Sequence, residues 1–211
     1  MTMNPSRDLK SILKAAYLMQ TRHGPLTEQE ILSAVNEEEL REVIGKGYMI
    51  KHRNEARYSL SGAGRSTIKV VLAGGVYDVL HLGHLSALME AKTLGDVLIV
   101  VVATDITVEM LKGRKPLFPQ EDRRKLVEGL KPVDKAILGY EDVGMGYEEV
   151  LMEVMPDVVA FGYDQGNLER SVREIINGHK LRIDLIKLSR YENEKYLNST
   201  SVRQKLSETL S

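Results

Sequence analysis

The chain has 211 residues, 43% hydrophobic and 28% charged, with a formal net charge of −1. That balance supplies apolar material for one sizeable core, or for a modest core plus a small one; it gives no general attraction for nucleic acid and leaves room for a local basic pocket. No window approaches the roughly 20 apolar residues of a membrane span, the first residues lack a small-residue cleavage pattern, and the absence of cysteine excludes disulfides, thiolate zinc sites and cysteine nucleophiles; the expected location is the cytoplasm.

Residues 1–65 read as a small helical module closed by a hairpin. Ser6 is the expected cap of a helix running to about Gln20, with Leu9, Ile12, Leu13, Ala16 and Tyr17 on one face. Gly24-Pro25 breaks it. Thr27 with Glu30, and then Asn36 with Glu39, have capping-box spacing and predict two further helices, the second carrying Leu40, Val43 and Ile44. Gly45 and Gly47 end it, and the loose alternation of Tyr48, Ile50, Tyr58 and Leu60 around KHRNEAR predicts a two-stranded wing. Three helices and a wing resemble a winged-helix domain, with SGAGRS (61–66) as the linker.

Residues 66–211 alternate differently. IKVVLAG (68–74) and DVLIVVVA (96–103) are β-branched apolar runs suited to buried parallel strands, with an amphipathic helix, LSALMEAKTLG (85–95), between them. Helices are then expected at 120–130, 147–155 and 168–178, and strands at 135–139, 157–164 and 182–188. The pattern describes an α/β fold: a doubly wound, parallel, five-stranded Rossmann-like sheet behind a small winged-helix-like module.

GGVYDVLHLGH (74–84) lies at the carboxyl end of the first strand, where open parallel sheets bind ligands. Gly74 and Gly75 let backbone approach a ligand closely, and Gly83 relieves crowding at a helix start whose free N–H groups can hold phosphate. His81 and His84 are three apart and point the same way, placed to donate hydrogen bonds as charge builds on a leaving pyrophosphate. Two histidines and an aspartate also allow a zinc reading, which is weaker because it leaves the glycines and the helix start without a role. GxGxxG is absent.

GGVYDVLHLGH resembles the G-x-[FY]-D-x-x-H-x-G-H signature of the cytidylyltransferase-like nucleotidyltransferase superfamily, and the resemblance extends over residues 68–206. It implies that His81 and His84 contact the triphosphate and stabilise the transition state. It sets Gly74, Gly75, Val76, Tyr77 and Gly83 against the nucleotide, and Asp78 near the acceptor or the metal-bound phosphates. LKGRKP (111–116) is similar to the family's mobile loop, which makes Lys112 the cation on the reacting phosphates, with Arg114 and Lys115 beside it. Asp105 and Arg123 match positions near the acceptor. FGYDQ (161–165) is similar to the G-x-D step and places Gly162 and Asp164 at the nucleotide; in YLNSTSVRQKL (196–206), Ser199 and Thr200 would cap a helix on phosphate, with Arg203 facing the same anion.

The resemblance implies ATP or CTP accompanied by Mg²⁺, with no residue assigned as a metal ligand, and a phosphorylated small molecule as acceptor. AKTLGDVLIVVVATD, PVDKAILG, PDVVAFGYDQ and LNSTSVR resemble archaeal FAD synthases, which adenylylate FMN. They are also similar to glycerol-3-phosphate cytidylyltransferases, so both acceptors stay open with a lean to FMN. A winged helix suggests DNA, and a ligand-responsive DNA-binding regulator is the non-enzyme alternative. Residues 1–65 hold ten Lys or Arg against eight Asp or Glu, and Glu37, Glu38 and Glu39 open the helix expected in the groove. Packing or homodimer formation is therefore favoured over DNA.

Overall fold

In the computed structural model the described residues are 8–52, 56–141, 146–191 and 208. The chain divides into two compact units, Met1–Lys69 and Val70–Ser211.

The first unit contains α1 (Leu9–Gln20), β1 (Leu26–Thr27), α2 (Glu28–Ala34), α3 (Glu37–Gly45), β2 (Met49–His52), β3 (Arg57–Leu60) and α4 (Gly62–Ser66). Both predicted capping boxes form: Thr27 with Glu30, and Asn36 with Glu39, each satisfying two helix-start N–H groups reciprocally. Asp8, not Ser6, caps α1 by accepting from Ser11 N. The wing is three-stranded, ordered β1-β3-β2 and antiparallel throughout, because Leu26 and Thr27 pair with Tyr58 and Arg57. Ile12, Leu13, Ile31, Leu40, Val43 and Tyr58 are buried in this unit.

The expected linker is a one-turn helix. Ser61 caps α4 through Gly64 N, and its hydroxyl also donates to Gly47 O. Gly64 serves close approach rather than flexibility, since a Cβ there would lie 2.1 Å from Tyr48 O. The clash is with backbone, so Gly64→Ala is expected to destabilise the first unit by about 3 kcal/mol, measured by chemical denaturation followed by far-UV circular dichroism.

The second unit runs β4 (Val70–Gly75), α5 (Leu82–Thr93), β5 (Val97–Val102), α6 (Asp105–Lys112), α7 (Gln120–Glu128), β6 (Lys135–Leu138), α8 (Gly146–Val154), β7 (Val158–Phe161), α9 (Gly166–His179) and β8 (Asp184–Lys187). All five strands are parallel in the order β6-β5-β4-β7-β8. The order reverses at β4, so a crevice opens beyond its carboxyl end. Val71, Ala73, Leu98, Val100 and Ala160 of the sheet form one core with Leu88 and Ala91 of α5 and Val127 of α7. Val150, Leu151 and Val154 of α8 and Val172 and Ile176 of α9 are also buried.

At the opposite, amino-terminal end of the sheet two aspartates close the central strands. Asp157 accepts from Val70 N, and Asp134 accepts from Leu98 N while pairing with Lys92. Each carboxylate thereby satisfies the first N–H group of a neighbouring strand or one close to it. Several element boundaries differ from expectation; β7, for one, ends at Phe161, three residues short of the expected 164. Helix α5 begins at Leu82, three residues early, and Leu111 and Lys112 finish helix α6 instead of lying in a loop. Thr104 caps α6 on Thr107 N, Thr107 and Val108 are buried, and Gly113 ends it at φ +63°.

Candidate active site

The site is built on the turn after β4. Tyr77 has φ +54°, the left-handed region uncommon outside glycine, and its ring folds back over the strand it has just left. A Cβ on Gly75 would stand 2.9 Å from that ring, so glycine is required by the fold-back itself. Tyr77 is buried in the α5-side core, and desolvation pushes its phenol well above the usual range. The reversal ends the strand, and α5 begins five residues further on at Leu82.

Asp78 is buried beside Tyr77. Its Oδ1 accepts from Leu117 N at 2.6 Å and from Phe118 N at 3.3 Å, while Arg114 Nη1 stands 3.4 Å from Oδ2. The segment between α6 and α7 is thereby fastened to the β4 turn. Arg114, rather than Lys112, is the basic residue making that contact; Lys112 is exposed on the last turn of α6.

Arg123, expected at the acceptor, is fully enclosed at 0% exposure. It donates to Phe118 O through Nε (2.9 Å), to Val76 O through Nη1 (2.5 Å) and to Asp105 Oδ1 through Nη2 (2.7 Å). Its guanidinium therefore has no face to offer a ligand. Arg123 clamps the starts of α6 and α7 to the β4 turn, and it takes Val76 and Asp105 into the same clamp.

His81 and His84 meet as predicted from their spacing. His81 is the N-cap residue of α5, but its side chain makes no capping bond. The two rings stack with centroids 3.9 Å apart at 30°, and Tyr77 lies 5.2 Å beneath His84. A Cβ on Gly83 would come within 3.0 Å of the His81 ring. Both Nδ1 atoms are buried without a hydrogen-bond partner. Burial, and then the proximity of His81, lowers His84 to about 4; burial lowers His81 as well. At neutral pH the pair is therefore uncharged, each ring carrying one N–H.

On the other side of β4, Gln165 joins two strand ends. It accepts from Gly162 N at 2.7 Å and donates to Gly74 O at 2.9 Å. Gly162 sits under the Asp164 and Gln165 side chains, and Asp164 itself is exposed. Gln165 had no assigned role in the sequence reading; its signal is a helix-start residue just after the strand loop, which spends its amide there instead of on capping. Ser199, Thr200 and Arg203 lie outside the described residues.

Gly74, Gly75, Tyr77, Asp78, His81, Gly83, His84 and Gly162 are thus gathered at the carboxyl end of the central strand pair. The cytidylyltransferase-like family matches residues 72–205 of this chain. The chain belongs to that family and is a nucleotidyltransferase. It is 43% identical over 141 residues to the FAD synthase of Thermoplasma acidophilum, covering 66% of this chain and 95% of that protein. To the FAD synthase of Pyrococcus abyssi it is 37% identical over 146 residues, covering 69% and 97%. The crystal structure of the lipopolysaccharide core biosynthesis protein from Thermoplasma volcanium is 40% identical with a TM-score of 0.55, covering 59% of this chain and 99% of that one. No helix among the described residues is long and apolar enough to cross a membrane.

The histidine pair also sets a pH dependence. His84 binds its proton more weakly folded (about 4) than unfolded (6.5), so the unfolded state holds more protons between those values. Its contribution to stability is complete above the unfolded value and is lost as pH falls toward about 4. Between pH 7 and 4.5, His84→Asn is expected to lose about 2 kcal/mol less stability than the parent, read from urea denaturation at both pH values.

Proposed function

We propose that this chain transfers the adenylyl group of ATP to FMN, forming FAD and releasing pyrophosphate. The observation that carries this reading is the 43% identity to a FAD synthase across 95% of that protein's length. The geometry around His81 and His84 supports the chemistry.

A phosphate oxygen of FMN attacks the α-phosphorus of ATP in line. The new P–O bond forms as the bond to the α,β-bridging oxygen breaks, and that electron pair leaves with pyrophosphate. The nucleophile is already an anion near neutral pH, so no general base is needed. Alignment and charge stabilisation carry the rate. The free N–H groups opening α5 and the imidazole N–H groups of His81 and His84 are the donors for the phosphoryl oxygens, preorganised because Gly83 and Tyr77 hold the rings. Lys112, exposed at the end of α6, supplies positive charge, with Arg114 beside it on the segment fastened to Asp78. Ser199, Thr200 and Arg203 are proposed as further phosphate ligands on the family resemblance. Mg²⁺ enters as part of the nucleotide substrate; among the described residues no three His, Asp or Glu side chains converge to hold one.

The test is pyrophosphate release with Mg²⁺ and ATP or CTP against FMN and glycerol 3-phosphate, with FAD followed by chromatography. Turnover is expected with ATP and FMN. His84→Ala should lower it by about 10²- to 10³-fold, far more than its effect on folding stability, which leaves the protein folded at pH 7.5. Turnover only with CTP and glycerol 3-phosphate would replace the proposed acceptor, and silence in every pair from folded protein would overturn the reading.

For the first unit we propose packing or self-association in preference to duplex binding. On α3, Glu37, Glu38 and Glu42 are exposed, while Arg41 pairs with Glu37 and Lys46 with Glu42. A helix that spends its cations on its own carboxylates has little to offer a phosphate backbone. Titration with duplex DNA at low salt should therefore give no mobility shift; a salt-dependent shift would reverse the preference.

A further inference from the structure

The phosphate chemistry leaves one neighbouring feature unused. Ile106, Met110 and Leu111 on α6, and Leu117 and Phe118 after it, are 46%, 62%, 57%, 57% and 46% exposed. Large apolar side chains scattered singly over a surface need no explanation, but a concentration within one short segment does. This one is fastened to the site: the N–H groups of Leu117 and Phe118 bind Asp78, three residues before His81, and Phe118 O is held by the Arg123 that also holds Asp105. Ile106 and Met110 are four apart on α6 and share a face. Lys112, Arg114 and Lys115 lie within the same segment.

We propose that Met110, Leu117 and Phe118, flanked by Ile106 and Leu111, form the platform on which the planar tricyclic ring of the acceptor rests, with Arg114 and Lys115 at its phosphate end. The inference rests on FMN being the acceptor and assigns where its ring is recognised. The ligand it fits is anionic at one end and broad, flat and apolar at the other, and this segment offers both complements within one hydrogen-bonded contact of the histidine loop. Phe118 supplies an aromatic surface and Met110 a polarisable one for a flat ring. A polyol phosphate would leave the strip uncovered. A second copy of the chain is the poorer occupant, because pairing this segment with itself would bring Lys112, Arg114 and Lys115 toward their own copies.

The platform side chains are exposed, and the bonds made at residues 117 and 118 come from backbone atoms. Leu117→Ser and Phe118→Ser therefore leave the fold in place. In the full chain each is expected to raise the KM for FMN, and the Kd for riboflavin read by flavin fluorescence, by about tenfold, with the KM for ATP within about twofold of the parent. Riboflavin lacks the phosphate, so its weakened binding reports the ring alone. Unchanged flavin affinity in both variants, from a parent that turns over FMN, would overturn the platform while leaving the proposed activity intact. A parent that sediments as a dimer, with variants that sediment as monomers and keep flavin affinity, would also overturn it, identifying the strip as an interface between copies. A parent that uses glycerol 3-phosphate and not FMN would remove the activity on which the platform rests, and the parent's own acceptor assay distinguishes that failure.

Discussion

The left-handed backbone at Tyr77 is the constraint around which the second unit's site is arranged. A central parallel strand ordinarily runs straight into its connection. Here β4 ends on glycine, the next ring but one folds back over it, and the chain leaves at an angle that buries Asp78 and presents the first turn of α5. A left-handed non-glycine residue costs about 1 kcal/mol or more, and the burial of the Tyr77 ring in the α5-side core offsets it. Replacing either partner in this arrangement disturbs the other, because the space for the ring exists only where Gly75 has no Cβ.

Around that turn the polar groups divide into those spent on the protein and those left over. Asp78, Arg123, one oxygen of Asp105 and the carbonyl of Val76 are engaged in fastening α6 and α7 to the strand end. The histidines are the reverse case. They are stacked and partly desolvated, with buried Nδ1 atoms that the protein does not satisfy. A buried polar atom without a partner raises the energy of the free state. That cost is carried by the two rings at the helix start, and it is the one place around the turn where the protein leaves side-chain nitrogens unsatisfied among the described residues.

Much of this was legible in sequence, for reasons that differ by element. The two central strands β4 and β5 announced themselves as β-branched apolar runs, the other three followed from the strand–helix alternation, and two capping boxes followed from Thr27/Glu30 and Asn36/Glu39 because that motif is local. Local signals failed where the deciding partner is distant. The linker SGAGRS reads as glycine-rich loop until Tyr48 O appears beside Gly64. Helix α6 hides in a segment that opens on β-branched residues, because its stability comes from Thr107 and Val108 packing inward. Arg123 reads from its motif as a ligand-binding arginine; only the positions of Val76, Asp105 and Phe118 reveal that each of its three guanidinium nitrogens donates within the protein. The His81–His84 pair was the most readable feature, since a three-residue spacing at a helix start fixes direction without help from the rest of the fold.

Gln165 has a consequence of a different kind. A primary amide is both donor and acceptor on one rigid plane, and here the two ends address Gly74 and Gly162, strand termini separated by most of the unit's sequence. The rims of the crevice contributed by β4 and β7 are therefore stapled into a single lip. Glutamate, of nearly the same shape, could keep the bond from Gly162 but not the one to Gly74. That position thus tolerates neither charge nor a shorter reach, and its selectivity is for a bidirectional connector rather than for size or polarity.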